Sequence, residues 1–184
     1  MILFTVGTHD APFDRLVAAA ECVASRTEEQ VVVQRGASRV PTPHCTVHDY
    51  LPPSRFEALV KEARVVVTHA GPGSVLTALS AGHAPYVVPR MARYGEHVDD
   101  HQVRFLRRIA GRIHPVEDPE ELPEALESLA SGGPRRDDSK MHEDASREFA
   151  SRLDNLLCEV IAPRSGRRGA IRRAVGFLFR GRGG

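Results

Sequence analysis

At 184 residues, with 41 % hydrophobic side chains and a formal net charge of +1, the chain has the length and apolar content of one globular domain with a tail. It holds no apolar run long enough to span a bilayer, its N-terminus lacks the basic-then-apolar layout of a signal peptide, and its three cysteines are widely spaced with no Cys-x-x-Cys pair. These features exclude a helical membrane protein and a disulfide scaffold, and predict a cytoplasmic protein with reduced cysteines that serve in packing. The near-neutral total hides an asymmetry. Residues 163–184 carry seven of the 25 basic residues and no acid, so 1–162 holds 18 basic against 24 acidic residues, a balance of −6. An acidic body argues against nucleic acid as a partner.

Ile2 to Val6 reads as a first strand, apolar throughout, as expected where helices cover both faces of a parallel sheet. After the loop Gly7-Thr8-His9-Asp10, Pro12 opens a helix whose inward face is Phe13, Leu16, Val17, Ala20 and Val23. Val31 to Gln34 is a second strand, and Cys45 to Tyr50 a third and weaker one. Pro52-Pro53-Ser54 precedes a helix with Phe56, Leu59, Val60 and Ala63 inward. Val65 to Thr68 is a central strand, followed by a glycine-rich turn and a helix closed by Gly82. Ala84 to Val88 is a further strand, and a polar loop leads to a helix over 98–110 with Val98, Gln102, Phe105, Leu106 and Ile109 on one face. Arg112 to Val116 is a short last strand. Asp118-Pro119 then opens a helix with Leu122, Ala125, Leu126 and Leu129, and a long helix is predicted over 139–160. Alternation of strand and helix predicts βαβ units in a doubly wound parallel sheet. The loops that follow strands then gather on one edge, where such sheets bind ligands.

The turn His69-Ala70-Gly71-Pro72-Gly73-Ser74 is the first candidate site on that edge. The first amides of a helix have no backbone partner, and the helix dipole adds about half a positive charge there. Gly71 and Gly73 let an anion approach the backbone, Pro72 suits the first helical position, and Ser74 adds a hydroxyl. The same residues are equally compatible with a turn that only redirects the chain. No Lys follows as in a P-loop, and the third glycine of the dinucleotide fingerprint is absent, which disfavours a dinucleotide-binding Rossmann protein.

Three runs, in order, carry a resemblance. They are Gly7-Thr8-His9-Asp10 with Pro12-Phe13-Asp14, then Thr68-His69-Ala70-Gly71-Pro72-Gly73-Ser74, then Val88-Pro89-Arg90 with Tyr94-Gly95-Glu96-His97-Val98-Asp99-Asp100-His101-Gln102. Together they resemble the family 28 glycosyltransferase C-terminal domain, over about residues 1–130. They are most similar to the small catalytic subunits of split enzymes: PssE-like exopolysaccharide subunits and the catalytic subunit of the dolichol-pathway UDP-N-acetylglucosamine transferase. The resemblance implies an α/β fold, the Rossmann-like donor-binding (C-terminal) half of a GT-B enzyme over residues 1–162, with 163–184 a basic, flexible tail. It implies a hexose or N-acetylhexosamine moved, with inversion, from a UDP-sugar to a lipid-linked acceptor, and a membrane-anchored partner subunit that carries the acceptor domain. A non-catalytic nucleotide-sugar-binding or assembly subunit of such a complex is the alternative.

The resemblance also implies residue roles. Gly7, Thr8, Gly71, Pro72, Gly73 and Ser74 would hold the diphosphate. Tyr50 and Leu51 would hold uracil. Glu96, Asp100, His101 and Gln102 would hold the donor sugar. Where the family often has a ribose-binding Glu, this chain has Thr77, which offers one hydroxyl, with Glu96 as the substitute. No cofactor beyond the UDP-sugar substrate is implied, and no metal. His97 and His101 have the i, i+4 spacing of a helical zinc pair, but Val98 stands where the catalytic zinc motif has Glu, and no Asp-x-Asp motif occurs. His9 is a weak candidate for the catalytic base, and His69 is read as a hydrogen-bonded structural histidine. Arginines around Ile171 to Phe179 suit an anionic membrane surface, or else a solvated tail. The implied place in the cell is the cytoplasmic face of the membrane, peripherally bound.

Overall fold

The computed structural model describes residues 1–99 and 101–130, all within one compact unit, Met1–Asp138. Asp100, the long helix expected over 139–160, the basic tail and the boundary expected at 162 lie outside the described residues. Six strands, β1 (Ile2–Thr5), β2 (Val31–Gln34), β3 (Thr46–His48), β4 (Val65–His69), β5 (Tyr86–Val88) and β6 (His114–Pro115), form one sheet in the order β3-β2-β1-β4-β5-β6. Every pairing is parallel. Among the described residues four α-helices connect them, α1 (Asp14–Ala24), α2 (Pro53–Glu62), α3 (Pro72–Ser80) and α4 (His101–Ile109), and α5 (Leu122–Ala130) follows β6. This is a doubly wound, Rossmann-like α/β sheet.

The apolar runs explain both layers. Alternate residues of one strand face opposite ways. Ile2 and Phe4 of β1 pack with Phe13, Leu16, Val17 and Val23 and with Leu122 and Leu126 of α5. Leu3, between them, packs with Val32, Val66, Leu59, Val60 and Ala78 on the opposite face. A strand buried on both sides cannot alternate apolar with polar residues, which is why the central strands read as unbroken Val and Ile.

Several boundaries differ from the sequence expectation. β3 and β6 are shorter than predicted, since each is an edge strand with a single pairing partner. The helix expected from Val98 begins at His101 instead. The Asp99 carboxylate accepts the His101 amide at 3.0 Å, a cap that fixes the start, and Val98 stands 89 % exposed rather than on the inner face. The helix expected from Pro119 opens as one turn of 3-10 helix, with Asp118 accepting the Glu120 amide, before α5 begins.

Candidate functional site

The sheet order places β1 beside β4 although β2 and β3 intervene in sequence, so the chain reverses its direction of travel across the sheet between them. Loops leaving two such strands diverge and leave a crevice at their carboxyl ends. Here the two loops are Gly7 onward and Ala70–Ser74. Gly71 caps α3 with extended backbone, Pro72 is its first residue, and no side chain caps it. The next amides, of Gly73 and Ser74, are therefore first-turn donors without an intrahelical acceptor.

The glycines of this crevice do different things. A Cβ on Gly7 would stand 2.3 Å from Cε1 of His69, and one on Gly71 would stand 2.0 Å from Nε2 of the same ring. The two glycines thus make room for His69, which lies against both loops. Gly7 also has φ +76°, a conformation only glycine adopts without strain. Its amide donates to Thr5 Oγ1 (3.2 Å) and its carbonyl accepts from Gln34 Nε2 (3.2 Å). Gly73 differs: it is exposed, and nothing stands within 4 Å of where its Cβ would be. The open approach to the backbone is at Gly73.

His69 is buried, and its Nδ1 has no hydrogen-bond partner. Burial, reinforced by the Arg90 guanidinium and by His9, pushes its pKa down to about 3, so the ring is neutral at physiological pH. Sequence reasoning took it for a hydrogen-bonded structural residue. The structure agrees in part: the ring packs between two glycines and interacts with the Thr5 backbone, while Nδ1 stays unpaired.

The loops after β1 and β5 meet at the same edge. The His9 ring lies 4.8 Å from that of His97, which lies 4.3 Å edge-on from that of His101. His9 Nδ1 accepts the Ala11 amide (3.0 Å) and His97 Nδ1 the Val98 amide (2.9 Å). Burial and the neighbouring His101 and His9 lower the His97 pKa. Hydrogen bonds from the His101 amide and ring hold the Asp99 carboxyl below its ordinary range. Donor atoms of His97, Asp99 and His101 lie within 4.8 Å of one another. Since α4 starts only at His101, these residues do not form the helical i, i+4 pair that the spacing suggested.

Beneath this surface runs a charged network that joins the predicted site residue Glu96 to two arginines given no site role by the sequence reading. Arg15 donates to both Glu96 oxygens (2.6 and 3.1 Å) and to the Pro89 carbonyl (2.6 Å). Glu96 also accepts the Met91 amide (2.9 Å). Arg90 is fully buried, with Nη2 on the Val6 carbonyl and Nη1 on those of Ala11, Pro12 and Glu96, at 3.0–3.2 Å. Burial lowers its pKa to about 10, which leaves it charged. Its guanidinium lies 4.7 Å from the Phe13 ring centroid.

The model of the glycosyltransferase family 28 C-terminal domain matches residues 1–156. The chain belongs to that family. No curated protein sequence matches it. Among solved structures it is similar to CalG4, the calicheamicin glycosyltransferase, at 20 % identity and a TM-score of 0.53, covering 96 % of this chain and 40 % of that one. It is also similar to the glycotransferase of kitacinnamycin (22 % identity, TM-score 0.51, 96 % and 42 % covered). A third is the glycosyltransferase SnogD from Streptomyces nogalater (20 %, 0.50, 96 % and 42 %). These likenesses show the fold, that of GT-B glycosyltransferases, and the chain spans about two fifths of those proteins.

Against this family-28 background, the expected site residues separate into groups. Gly7, Gly71, Pro72, Gly73 and Ser74 converge at the crevice, with Thr8 exposed beside it. Tyr50 and Leu51 follow β3 on the same edge of the sheet, three strand intervals from β4, or about 14 Å at the usual spacing. Tyr50 is half exposed, while Leu51 is partly buried against the α2–α3 core layer. The Thr77 hydroxyl donates to the Gly73 carbonyl one turn back (2.9 Å). Glu96 was expected at the donor sugar or ribose. Its carboxylate instead closes the 89–96 loop through Arg15 and Met91 and is 5 % exposed. Gln102 is also buried, and its Oε1 accepts the Arg90 amide (3.0 Å). His101 starts α4 with its ring on Asp99. The residues that sequence reasoning missed are Arg15, Gln34 and Arg90. The only signal was a basic or polar side chain embedded in an apolar pattern.

Cys22 and Cys45 are unpaired, and Cys158 lies outside the described residues. No described helix is long and apolar enough to cross a membrane.

Proposed function

We propose that the chain is the donor-binding, catalytic half of an inverting glycosyltransferase that uses a UDP-sugar. The observation that carries this is the α3 N-terminus at the β1/β4 reversal, with unpaired first-turn amides and an open approach at Gly73. A leaving diphosphate gains negative charge as the glycosidic bond breaks. Amides already fixed in place and a helix dipole stabilise that charge without having to reorganise, and one such donor is typically worth about 3 kcal/mol. In this reading Gly73, Ser74 and the Gly7–Thr8 loop face the phosphates. Tyr50-Leu51 lie toward the nucleoside, and the start of α4 (His101, Gln102) lies toward the sugar, with Asp100 in the same expected role.

The transferred group would be a hexose or N-acetylhexosamine, and the acceptor a lipid-linked sugar. A membrane-anchored subunit of PssE-like type would supply the acceptor-binding half. The chain spans 40–42 % of the glycosyltransferases whose fold it shares. The fixed donors at the glycine turn would also let the reaction run without a metal.

Gly73→Asp tests the site. Nothing crowds this position, and an acid in the first turn favours the helix. The variant should keep its melting temperature, yet lose UDP binding in calorimetry because the new carboxylate repels phosphate. A variant that still bound UDP like wild type would remove the glycine turn from the site. Sugar transfer by the chain with its partner, from a UDP-sugar to a lipid acceptor, separates a catalytic subunit from a non-catalytic one.

A further inference from the structure

Arg90 is the largest fully buried side chain among the described residues, and among them its guanidinium forms no ion pair. Its Nε has no hydrogen-bond partner at all. A buried charge held by carbonyl groups and a ring face, with the Glu96 carboxylate acting only at longer range, is costly, and an apolar side chain of similar volume would commonly serve stability as well or better. Stability alone therefore does not account for an arginine here. What the residue touches does. Nη2 holds the Val6 carbonyl at the end of β1, and Nη1 reaches the Ala11 and Pro12 carbonyls at the far end of the first loop. Nη1 also reaches the Glu96 carbonyl in the loop after β5. The main-chain amide of the same residue donates to Gln102 Oε1 in the first turn of α4. One residue thus ties both ends of the Gly7–Asp10 loop to the segment that leads into α4.

We propose that Arg90 is a positioning residue, which holds the phosphate-side loop and the sugar-side start of α4 at one fixed spacing. The inference rests on the donor-site reading above and adds to it a coupling between the two halves of the pocket. A planar fork with donors in fixed directions can serve acceptors in different segments at once. A lysine ammonium is a point donor on a flexible stem and cannot span them. Arg90→Lys keeps the charge and loses the span.

Calorimetry on the full chain, with UDP, UDP-glucose and UDP-N-acetylglucosamine as probes, tests this. Arg90 holds the Gly7–Thr8 loop but does not touch the α3 N-terminus, so Arg90→Lys should weaken UDP only in part. It should lose the sugar's share of affinity, lowering the ratio of the UDP dissociation constant to that of the better UDP-sugar by about tenfold, the loss of one good hydrogen bond. An unchanged ratio, or equal weakening of UDP and UDP-sugar as general loosening would produce, overturns the proposal. Wild type that bound none of the probes would refute the donor-site reading itself. Amide hydrogen exchange on the native wild-type chain addresses the coupling separately, whether or not the Lys variant folds. The amides of 7–13 and 96–105 should open together, with one shared dependence on denaturant. Independent opening of the two segments in wild type sinks the coupling even if UDP binds.

Discussion

His69 offers the sharpest test of how the crevice is built. Its ring is neutral in the folded state because burial, then the Arg90 charge, then His9 hold its pKa at about 3. In the unfolded chain it titrates near 6.5. Between these values the unfolded state binds a proton that the folded state does not, so stability must rise with pH through this window and fall as pH drops below about 6.5. At pH 5.0 the deficit is about 1.5 pH units, worth about 2 kcal/mol. The figure depends only on the folded value lying well below 5. Urea denaturation of wild type and His69→Gln at pH 7.5 and pH 5.0 isolates the term, since Asp99, His97 and the other titrating groups are common to both proteins. The stability difference between wild type and variant should move by about 2 kcal/mol against wild type on acidification. Ring-nitrogen NMR should show a neutral His69 down to pH 5. A difference that stays flat between the two pH values, or a ring that protonates near 6, would refute the packing of His69 between Gly7 and Gly71.

The three glycines of the crevice should respond differently to the same substitution. Gly71→Ala drives a methyl into the His69 ring and Gly7→Ala adds backbone strain to a similar clash, so each should cost about 1–3 kcal/mol or more in urea denaturation. Gly73→Ala meets open space within a helix and should be neutral or stabilising by up to about 1 kcal/mol. Equal effects at all three would contradict the assignment of space around the ring. The Cys45 thiol, raised to about 12 by burial and the adjacent Glu21 carboxylate, should resist a thiol-specific reagent at pH 8 until the chain is unfolded, as read by absorbance.

Most of the sheet was legible in the chain because doubly buried parallel strands leave a signature that needs no partner to interpret. Val31 to Gln34 and the helix-opening prolines at Pro53 and Pro72 fall where the pattern puts them, since apolar runs and proline's fixed φ act locally. The start of α4 was not legible. Val98 fits an inward helical spacing, but the Asp99 cap acts at short range and overrides the spacing. A polar side chain one residue past the predicted start outweighed one apolar position.

The candidate site was half legible, and the division has a physical cause. The unpaired amides of Gly73 and Ser74 follow from where a helix begins, so residue types alone announce them. The roles of Glu96 and Gln102 depend on which of several polar groups each side chain meets. That choice is made by Arg15 and Arg90, more than 70 residues away and 12 residues away respectively. No local pattern marks an arginine whose partners are carbonyls of a distant loop. Glu96 read as a ligand-binding acid, and its carboxylate also closes a loop through Met91 and Arg15, while Gly71 read as a phosphate approach, and its missing Cβ also accommodates His69. Such protein neighbours are not visible in a local pattern. Arg90 shows the converse: a cation given no site role by the sequence reading ties the loop after β1 to the loop after β5 through four carbonyls.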